Sequence, residues 1–206
     1  MVNEPRIEPV VLRGRHVRLE PLSVDHLAGL TAAGRDERIW RWMPLDGSSP
    51  AGMAAIIQAA LAAQAAGTEL PFVTIDATSG RVVGSTRYLA LAPAHLRLEV
   101  GWTWIDPAFQ RTAVNSEAKL LGLTNAFEGL GLRRVEFKTD ALNEQSRAAI
   151  LGIGARYEGM FRKHMVMPGG RARDSAYYSV IDTEWPEVKA HLQARLARHR
   201  LEEGSQ

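Results

Sequence analysis

A strand–turn–helix pattern between residues 97 and 126 holds the backbone best suited to binding an anionic ligand. The alternating aromatic run from Arg97 to Ile105 predicts a strand that stops at Asp106-Pro107. The loop Gln110-Arg-Thr-Ala-Val-Asn115 follows, and we expect the next helix to begin near Ser116. The first amides of a helix lack intrahelical partners and carry the positive end of its dipole. This turn therefore favours phosphate groups.

The side chains of the same loop are compatible with an anion. Residues 112 and 113 are small enough to let a ligand approach the backbone, and Arg111 adds a positive charge. A strand-to-helix crossover also occurs throughout α/β proteins, so a purely structural role for this turn stays open.

Several other kinds of site have no support in the sequence. The chain has no cysteine, which excludes disulfides, thiolate metal sites and cysteine nucleophiles. Its six histidines show no spacing such as His-x-x-x-His, so we predict no metal site. No Gly-x-Gly-x-x-Gly run follows an early strand and no Gly-x-x-x-x-Gly-Lys motif is present, so we expect neither a dinucleotide site nor that phosphate loop.

The charge balance gives little support to a nucleic-acid partner, because 25 basic residues face 23 acidic ones. The basic cluster Arg195 to Arg200 is interpreted as the solvated face of a last helix, with a nucleic-acid patch as the alternative. The most apolar stretch, Ala51 to Ala66, is too short and too weakly apolar to span a bilayer, and no signal peptide opens the chain. We therefore expect a cytoplasmic protein with no membrane partner.

The strands and helices alternate along a single domain at residues 10–200, with flexible ends at 1–9 and 201–206. Val10 to Glu20 is predicted to be one strand, and Ser49-Pro50 begins an alanine-rich helix that Gly67 ends. Two hairpins turn at residues 77–80 and 168–170. The order is roughly β-α-α-β-β-β-α-β-α-β-β-α, an α/β fold with a mixed sheet flanked by helices.

The strand–turn–helix carries a family resemblance. Glu99-Val-Gly-Trp, Asp106-Pro107 and Gln110 to Lys119 together resemble the acyl-CoA loop of the GNAT N-acyltransferases, especially the branch that contains the ribosomal-protein N-terminal acetyltransferases. The likeness continues in Asn143 to Ala149 and Gly154 to Gly159, and with the element order it covers about four-fifths of the chain.

The loop departs from the usual Gln/Arg-x-x-Gly-x-Gly/Ala pattern at two positions. Gln110 matches its first position, whereas Ala113 and Asn115 stand where glycines are common. Alanine permits a close backbone approach if its φ is negative, and asparagine tolerates a positive φ better than most residues.

The resemblance implies a largely antiparallel central sheet that splays between the strand ending at Ile105 and the strand starting at Arg133. Acetyl-CoA, or another acyl-CoA such as succinyl-CoA, is expected in that gap without a metal ion, its phosphates on the amides of residues 111–116. The cofactor-binding residues implied are Trp104, Ile105, Gln110, Arg111, Thr112, Ala113, Val114, Asn115, Ser116, Asn143 and Ser146.

The resemblance also implies two catalytic residues. Glu99 is the best-placed general base for the acceptor amine; the alternative is a surface glutamate paired with Arg97 or Arg87. Many relatives place a tyrosine after the family asparagine, whereas this chain has Ala148-Ala-Ile-Leu151 there. Ser146 is then the nearest hydroxyl for the departing thiolate, and its alternative is a helix-surface serine. Asn143 is expected to bond the pantetheine, to cap its own helix, or to do both.

The acceptor side is expected to involve Trp40, Trp42 and Arg87, with a core role as the alternative for the two tryptophans. Trp102, Trp104 and Trp185 are predicted to lie in the core. The acceptor is a small-molecule or peptide amine whose identity the fold alone does not select, and a homodimer is compatible with the family. A non-catalytic acyl-CoA-binding module is the competing function, because the tyrosine and the loop glycines are missing.

Overall fold

The computed structural model describes residues 4–203, which form an eight-stranded sheet in the order β1-β2-β3-β4-β5-β6-β8-β7. The strands are β1 (Leu12–Arg13), β2 (Val17–Pro21), β3 (Leu70–Asp76), β4 (Val82–Ala92), β5 (Arg97–Ile105), β6 (Arg134–Asp140), β7 (Arg156–Val166) and β8 (Ala172–Ile181). The helices are α1 (Leu27–Ala33), α2 (Pro50–Ala65), α3 (Ala113–Thr124), α4 (Glu144–Leu151) and α5 (Trp185–Glu203). This confirms the α/β fold with a mixed sheet predicted from the order of elements, and the sheet is largely antiparallel, as the resemblance implies.

One strand pair in the sheet is parallel, and it is short. β5 and β6 pair in register only from Arg97 opposite Arg134 to Glu99 opposite Glu136. The two strands continue to Ile105 and Asp140 without further pairing between them, so the sheet opens after Glu99. The predicted splay is present.

Each face of the sheet supports a different layer. Alternate residues such as Leu98, Val135 and Phe137 belong to a core cluster shared with α3 and α5. A second cluster packs α1 and α2 against β3 and the end of β5, with Met53 and Trp104 among its members. Beside this second layer, the same face of β5, β6 and β8 carries polar side chains.

Local signals in the sequence account for several element boundaries. Ser49 accepts a hydrogen bond from the Gly52 amide, Pro50 occupies the first helical position of α2, and Gly67 follows the helix with φ +70°. Asn143 likewise caps α4, its Oδ1 accepting from the Ser146 amide at 3.0 Å.

The N-terminal strand differs from the prediction. Val10 to Glu20 is interrupted by a turn at residues 14–16, where the Gly14 amide donates to the Val17 carbonyl at 2.8 Å. The turn forms because its amides bind a carboxylate from α3, a tertiary contact outside the range of local patterns. Residues 4–9 form neither helix nor strand, although Ile7 packs on the core. At the other predicted flexible end, residues 201–203 continue α5, contrary to the prediction, and residues 1–3 and 204–206 lie outside the described residues.

Residues 4–203 contain neither a membrane-spanning helix nor a cluster of metal ligands. None of their helices has the length and apolarity to cross a bilayer. Nor do they hold a group of three or more His, Asp or Glu side chains arranged to bind a metal ion.

Candidate active site

Glu99 lies at the last paired position before β5 and β6 separate, and it is 4% exposed. Its carboxylate pairs with Lys138, whose Nζ lies 3.0 Å from Oε2. Burial raises the pKa of Glu99 above its usual value, against the lowering effect of Lys138 and a weaker one of Arg173. The site therefore holds a desolvated carboxylate at the point where the sheet opens, a suitable position for a proton acceptor.

The ion-pair partners expected for Glu99 are corrected by the structure. Arg97 pairs with Glu136, at 3.4 Å, and Arg87 pairs with Glu69, at 2.9 Å. Lys138 takes their place because β6 pairs in parallel with β5, which puts Lys138 two residues beyond the partner of Glu99 and on the same face.

A β-bulge in β5 follows directly. The β4–β5 register shifts between Ser85 and Arg87, and Trp102 has φ +51°. Gly101 leaves space for the catalytic candidate, because a Cβ built at Gly101 would lie 3.0 Å from Oε1 of Glu99. The bulge thus brings the backbone of β5 close to the Glu99 carboxylate.

The turn after β5 ends earlier than predicted. α3 begins at Ala113 rather than near Ser116, because Thr112 is the N-cap: its Oγ1 accepts from the Val114 amide at 3.3 Å. Arg111, just before the cap, has φ +61°, and this left-handed residue turns the chain into the helix. Residues 111–116 therefore form a helix N-terminus of the kind that binds phosphate.

The replaced loop glycines are compatible with this geometry. Ala113 and Asn115 both lie within α3 with negative φ, so neither position requires glycine for its backbone conformation. Ala113, Val114 and Ser116 are buried, so their contribution to a phosphate site is limited to the backbone.

The beginning of α4 meets the loop after β5 across the opening. Gln145 Nε2 donates to Gln110 Oε1 at 3.2 Å, and Gln110 Nε2 donates to the Ile105 carbonyl at 3.1 Å. Ser146 is half-buried in the first turn of α4, and its hydroxyl makes no hydrogen bond to any described residue. The predicted phosphate loop and the predicted thiolate partner thus belong to elements in contact.

The tryptophans separate into core and cleft. Trp40 is buried, donates Nε1 to the Gly34 carbonyl at 2.8 Å and packs on Trp104 with ring centroids 5.2 Å apart. This corrects the assignment of Trp40 to the acceptor wall and removes the Trp104 side chain from the cofactor site; both rings fill the α1–α2 core. Ile105 is also a core residue, and its carbonyl accepts the hydrogen bond from Gln110 described above.

Trp42 and Arg87 keep positions compatible with an acceptor wall. Trp42 is half-buried, with the guanidinium of Arg171 5.7 Å from its ring centroid. Arg87 stacks over Trp102 at 4.4 Å, and Trp102 is only partly buried, contrary to its predicted core position.

Three charged residues near the site escaped the sequence reasoning. Lys138 and Arg173 lie on the polar face of β6 and β8, opposite the face of Phe137 and Tyr178, and the alternation along each strand in principle reveals this. Lys119 is buried in α3 and donates to Thr103 Oγ1 at 2.7 Å; burial lowers its pKa to about 7. Its position on the inner side of α3 has no signal short of the tertiary structure.

Comparison with known proteins gives the same fold and a family. The model of the acetyltransferase (GNAT) domain matches residues 16–156. A GCN5-related N-acetyltransferase from Brucella melitensis is 35% identical, superposes with a TM-score of 0.87 and covers 93% of this chain and 87% of its own. Mycobacterium smegmatis RimJ, solved in complex with CoA-disulfide, has a TM-score of 0.74 at 22% identity over 87% of this chain and 88% of its own, a likeness of fold.

Among curated proteins, "Putative ribosomal N-acetyltransferase YdaF" from Bacillus subtilis (strain 168) is 32% identical over 110 residues, which cover 53% of this chain. The matched region spans 59% of that relative, less than two thirds of its length. The sheet opening after Glu99 and the helix N-terminus at residues 111–116 both lie within residues 16–156, the region that the family model matches. The chain belongs to the GNAT family of acetyltransferases.

Proposed function

We propose that this chain is an acyl-CoA-dependent N-acyltransferase that transfers acetyl from acetyl-CoA to a primary amine by direct attack. The observation that carries the proposal is the buried Glu99 at the point where β5 and β6 separate, since a base is needed beside the gap that would receive the acyl group. Membership of the GNAT family supports acyl transfer as the reaction class.

The residues around the opening fit the co-substrate. The amides of residues 111–116 supply donors and a helix dipole for its phosphates, with Arg111 adjacent. The gap between β5 and β6 offers unpaired strand backbone to the pantetheine amides. Acetyl-CoA supplies the acyl group already activated as a thioester, so the protein needs to position the amine and manage protons.

Glu99 accepts the proton of the acceptor ammonium, directly or through water. An alkyl ammonium titrates near 10, so an amine at neutral pH must lose a proton before it attacks. The desolvated carboxylate of Glu99 has its pKa raised by burial, which makes it a stronger base than a surface glutamate. The adjacent Lys138 opposes this shift by favouring the ionised form.

Ser146 donates its hydroxyl hydrogen to the sulfur as negative charge develops there. The hydroxyl is available for this role, because no described residue engages it. The Ser146 amide is already held by Asn143, which orients the first turn of α4.

A non-catalytic acyl-CoA-binding module is the second candidate. It is favoured by the residues Ala148-Ala-Ile-Leu151, which provide no phenol on α4 to protonate a thiolate. On this alternative Glu99 is a structural ion-pair residue with Lys138.

A thiol-release assay separates the two. The protein is mixed with acetyl-CoA and a pool of amines that contains polyamines, amino acids, aminoglycosides and peptides with the N-terminal sequences of ribosomal proteins. A parallel assay uses succinyl-CoA in place of acetyl-CoA. We expect thiol release above the rate of a heat-denatured control. Acetyl-CoA binding in calorimetry with no thiol release from any acceptor would establish the binding module instead.

A further inference from the structure

Arg173 is a buried arginine on the polar face of β8. It is 6% exposed, and its Nε donates to Ser175 Oγ at 3.1 Å. Its two Nη atoms make no hydrogen bond or ion pair with any residue of the described range. A guanidinium has five N–H donors, so most of the donor capacity of this side chain is unused.

The unused donors are not sealed in the interior. Only Thr31 Oγ1 and Gln64 Oε1 are fully enclosed side-chain polar atoms without a partner within residues 4–203. The Nη atoms of Arg173 are therefore reachable by solvent, although the rest of the side chain is buried. A buried cation without a paired partner raises the free energy of the folded protein, and an anion that accepts its free donors would offset this cost.

No neighbouring carboxylate pairs directly with Arg173. Each acidic side chain on this part of the sheet already has a basic partner: Glu99 pairs with Lys138, Asp140 with Arg171, and Glu136 with Arg134 and Arg97. Arg173 has no carboxylate within ion-pair distance among the described residues; Asp140 and Glu99 act on it only at longer range, and the cations named here outnumber the three carboxylates.

Arg173 and Glu99 belong to the same site. Both face the side of the sheet opposite α3, and the positive charge of Arg173 is felt by the Glu99 carboxylate. Beside them, Trp42 and Arg171 form the wall already described, at 5.7 Å. A molecule whose amine reaches Glu99 therefore has a fixed cation within the same cleft.

We propose that Arg173 binds a carboxylate of the acceptor, so that the acceptor class is a primary amine with a carboxylate on the same small molecule or on the adjoining residue of a peptide. The planar guanidinium matches a carboxylate with two parallel hydrogen bonds, which fixes the orientation as well as the charge. This inference rests on the proposed acyl transfer and specifies its acceptor.

Matched acceptor pairs test the inference. Free amino acids and ω-amino acids are compared with their primary amides, and peptide amides with Asp as second residue are compared with the Asn versions. We expect the wild type to prefer a carboxylate member by about tenfold or more in kcat/KM. The two series distinguish a small-molecule source of the carboxylate from a peptide source.

Variants locate the preference. Arg173→Gln is expected to lower kcat/KM for the preferred carboxylate acceptor by about 10- to 100-fold and to leave its neutral partner within about threefold. Arg173→Lys keeps the positive charge but lacks the two parallel donors of the guanidinium, so it should recover part of the preference for carboxylate acceptors. Arg162→Gln removes an exposed arginine of β7 and should retain all of it. The inference is overturned if Arg173→Gln lowers kcat/KM equally for the carboxylate acceptor and its neutral partner. It is also overturned if the wild type prefers the carboxylate member in neither series.

Binding measurements separate this inference from the proposed function. Calorimetry with the same probes in the presence of CoA needs no turnover, and the wild-type comparison needs no variant that must fold. Carboxylate probes that bind the wild type and not Arg173→Gln, with no thiol release from any acceptor, would support the anion site and refute acyl transfer. Thiol release from neutral amines with no carboxylate selectivity would support acyl transfer and refute the anion site.

Discussion

Lys138 Nζ lies 3.0 Å from Oε2 of Glu99, at the point where the pairing of β5 with β6 ends. Burial alone would favour the neutral acid at this position, because charge is poorly solvated in the interior. The lysine opposes that effect, and the outcome is a carboxylate whose pKa is raised while an adjacent cation favours its ionised form.

Lys138→Gln is expected to move the acid limb of kcat/KM to higher pH. Lys138 is the main group that opposes the effect of burial, so removing it raises the Glu99 pKa further. At pH 6 the variant therefore has less of the ionised base than the wild type, and the difference narrows towards pH 8. The measurement is the pH profile of thiol release. Lys189→Gln, which removes a lysine of α5 paired with Glu128, is the control and should leave the limb in place. An unmoved limb in Lys138→Gln would take the base role away from Glu99.

Glu99→Gln is expected to lower kcat about 100-fold or more at neutral pH, with a smaller change in the acceptor KM. The deficit should shrink towards pH 10, where the acceptor amine is already neutral and needs no base. Initial rates across this range check the prediction. Equal activity of variant and wild type at neutral pH would assign proton removal to water or to another group.

Ser146→Ala is expected to slow acyl transfer by about 10- to 100-fold, the loss of one hydrogen bond of about 1.5–3 kcal/mol in the transition state. CoA affinity should change much less, since a neutral sulfur accepts only a weak hydrogen bond. Alanine keeps the backbone amide that Asn143 binds, so α4 retains its cap. An unchanged rate with a lowered Tm would make Ser146 a residue of helix stability alone.

Lys119→Met is expected to flatten the dependence of stability on pH. The folded-state pKa of Lys119 is about 7, below the value near 10.4 of an unfolded lysine, so the unfolded chain binds more protons between these limits. Wild-type stability should therefore rise from pH 7 towards pH 10, by up to about 1.4 kcal/mol per pH unit.

Urea unfolding at pH 7 and pH 9.5 measures this slope. The upper limit stays below pH 10 because burial raises the pKa of Tyr88 well above its usual range, and ionisation of that tyrosine in the unfolded chain reverses the trend at higher pH. Lys189→Met, which removes a half-buried lysine of α5 paired with Glu128, should keep the wild-type slope. A slope shared by wild type and Lys119→Met would mean that Lys119 is charged in the folded protein.

Local sequence patterns predict the parts of this fold that local chemistry determines. Ser49-Pro50, Gly67, the break at Asp106-Pro107 and the cap at Asn143 act within a few residues of the boundaries that they set. The start of α3 escaped because Thr112 and Ser116 are both capping residue types. Packing buries Ser116 and leaves Thr112 at the helix end.

The candidate site is less accessible to sequence reasoning than the fold. The partner of Glu99 depends on the register of β5 against β6. The two strands are separated by 28 residues of chain, and no local sequence pattern specifies their register. Trp40 shows the same limit. A tryptophan in a loop suits a cleft wall or a core equally well, and the contact with Trp104 decides for the core.

The contacts of Glu117 in α3 constrain the order in which the protein can fold. Its carboxylate accepts the amides of Arg15, His16 and Val17 at 2.5–3.0 Å, residues 100–102 positions earlier in the chain. During synthesis the N-terminal turn emerges first and must keep three amides solvated until α3 follows, so the contact closes one of the long loops that slow folding. The helix whose first turn is proposed to bind phosphate is therefore held by backbone amides about a hundred residues before it in the chain. On the proposed function, the phosphate site is complete only after residues 15–17 and α3 have met.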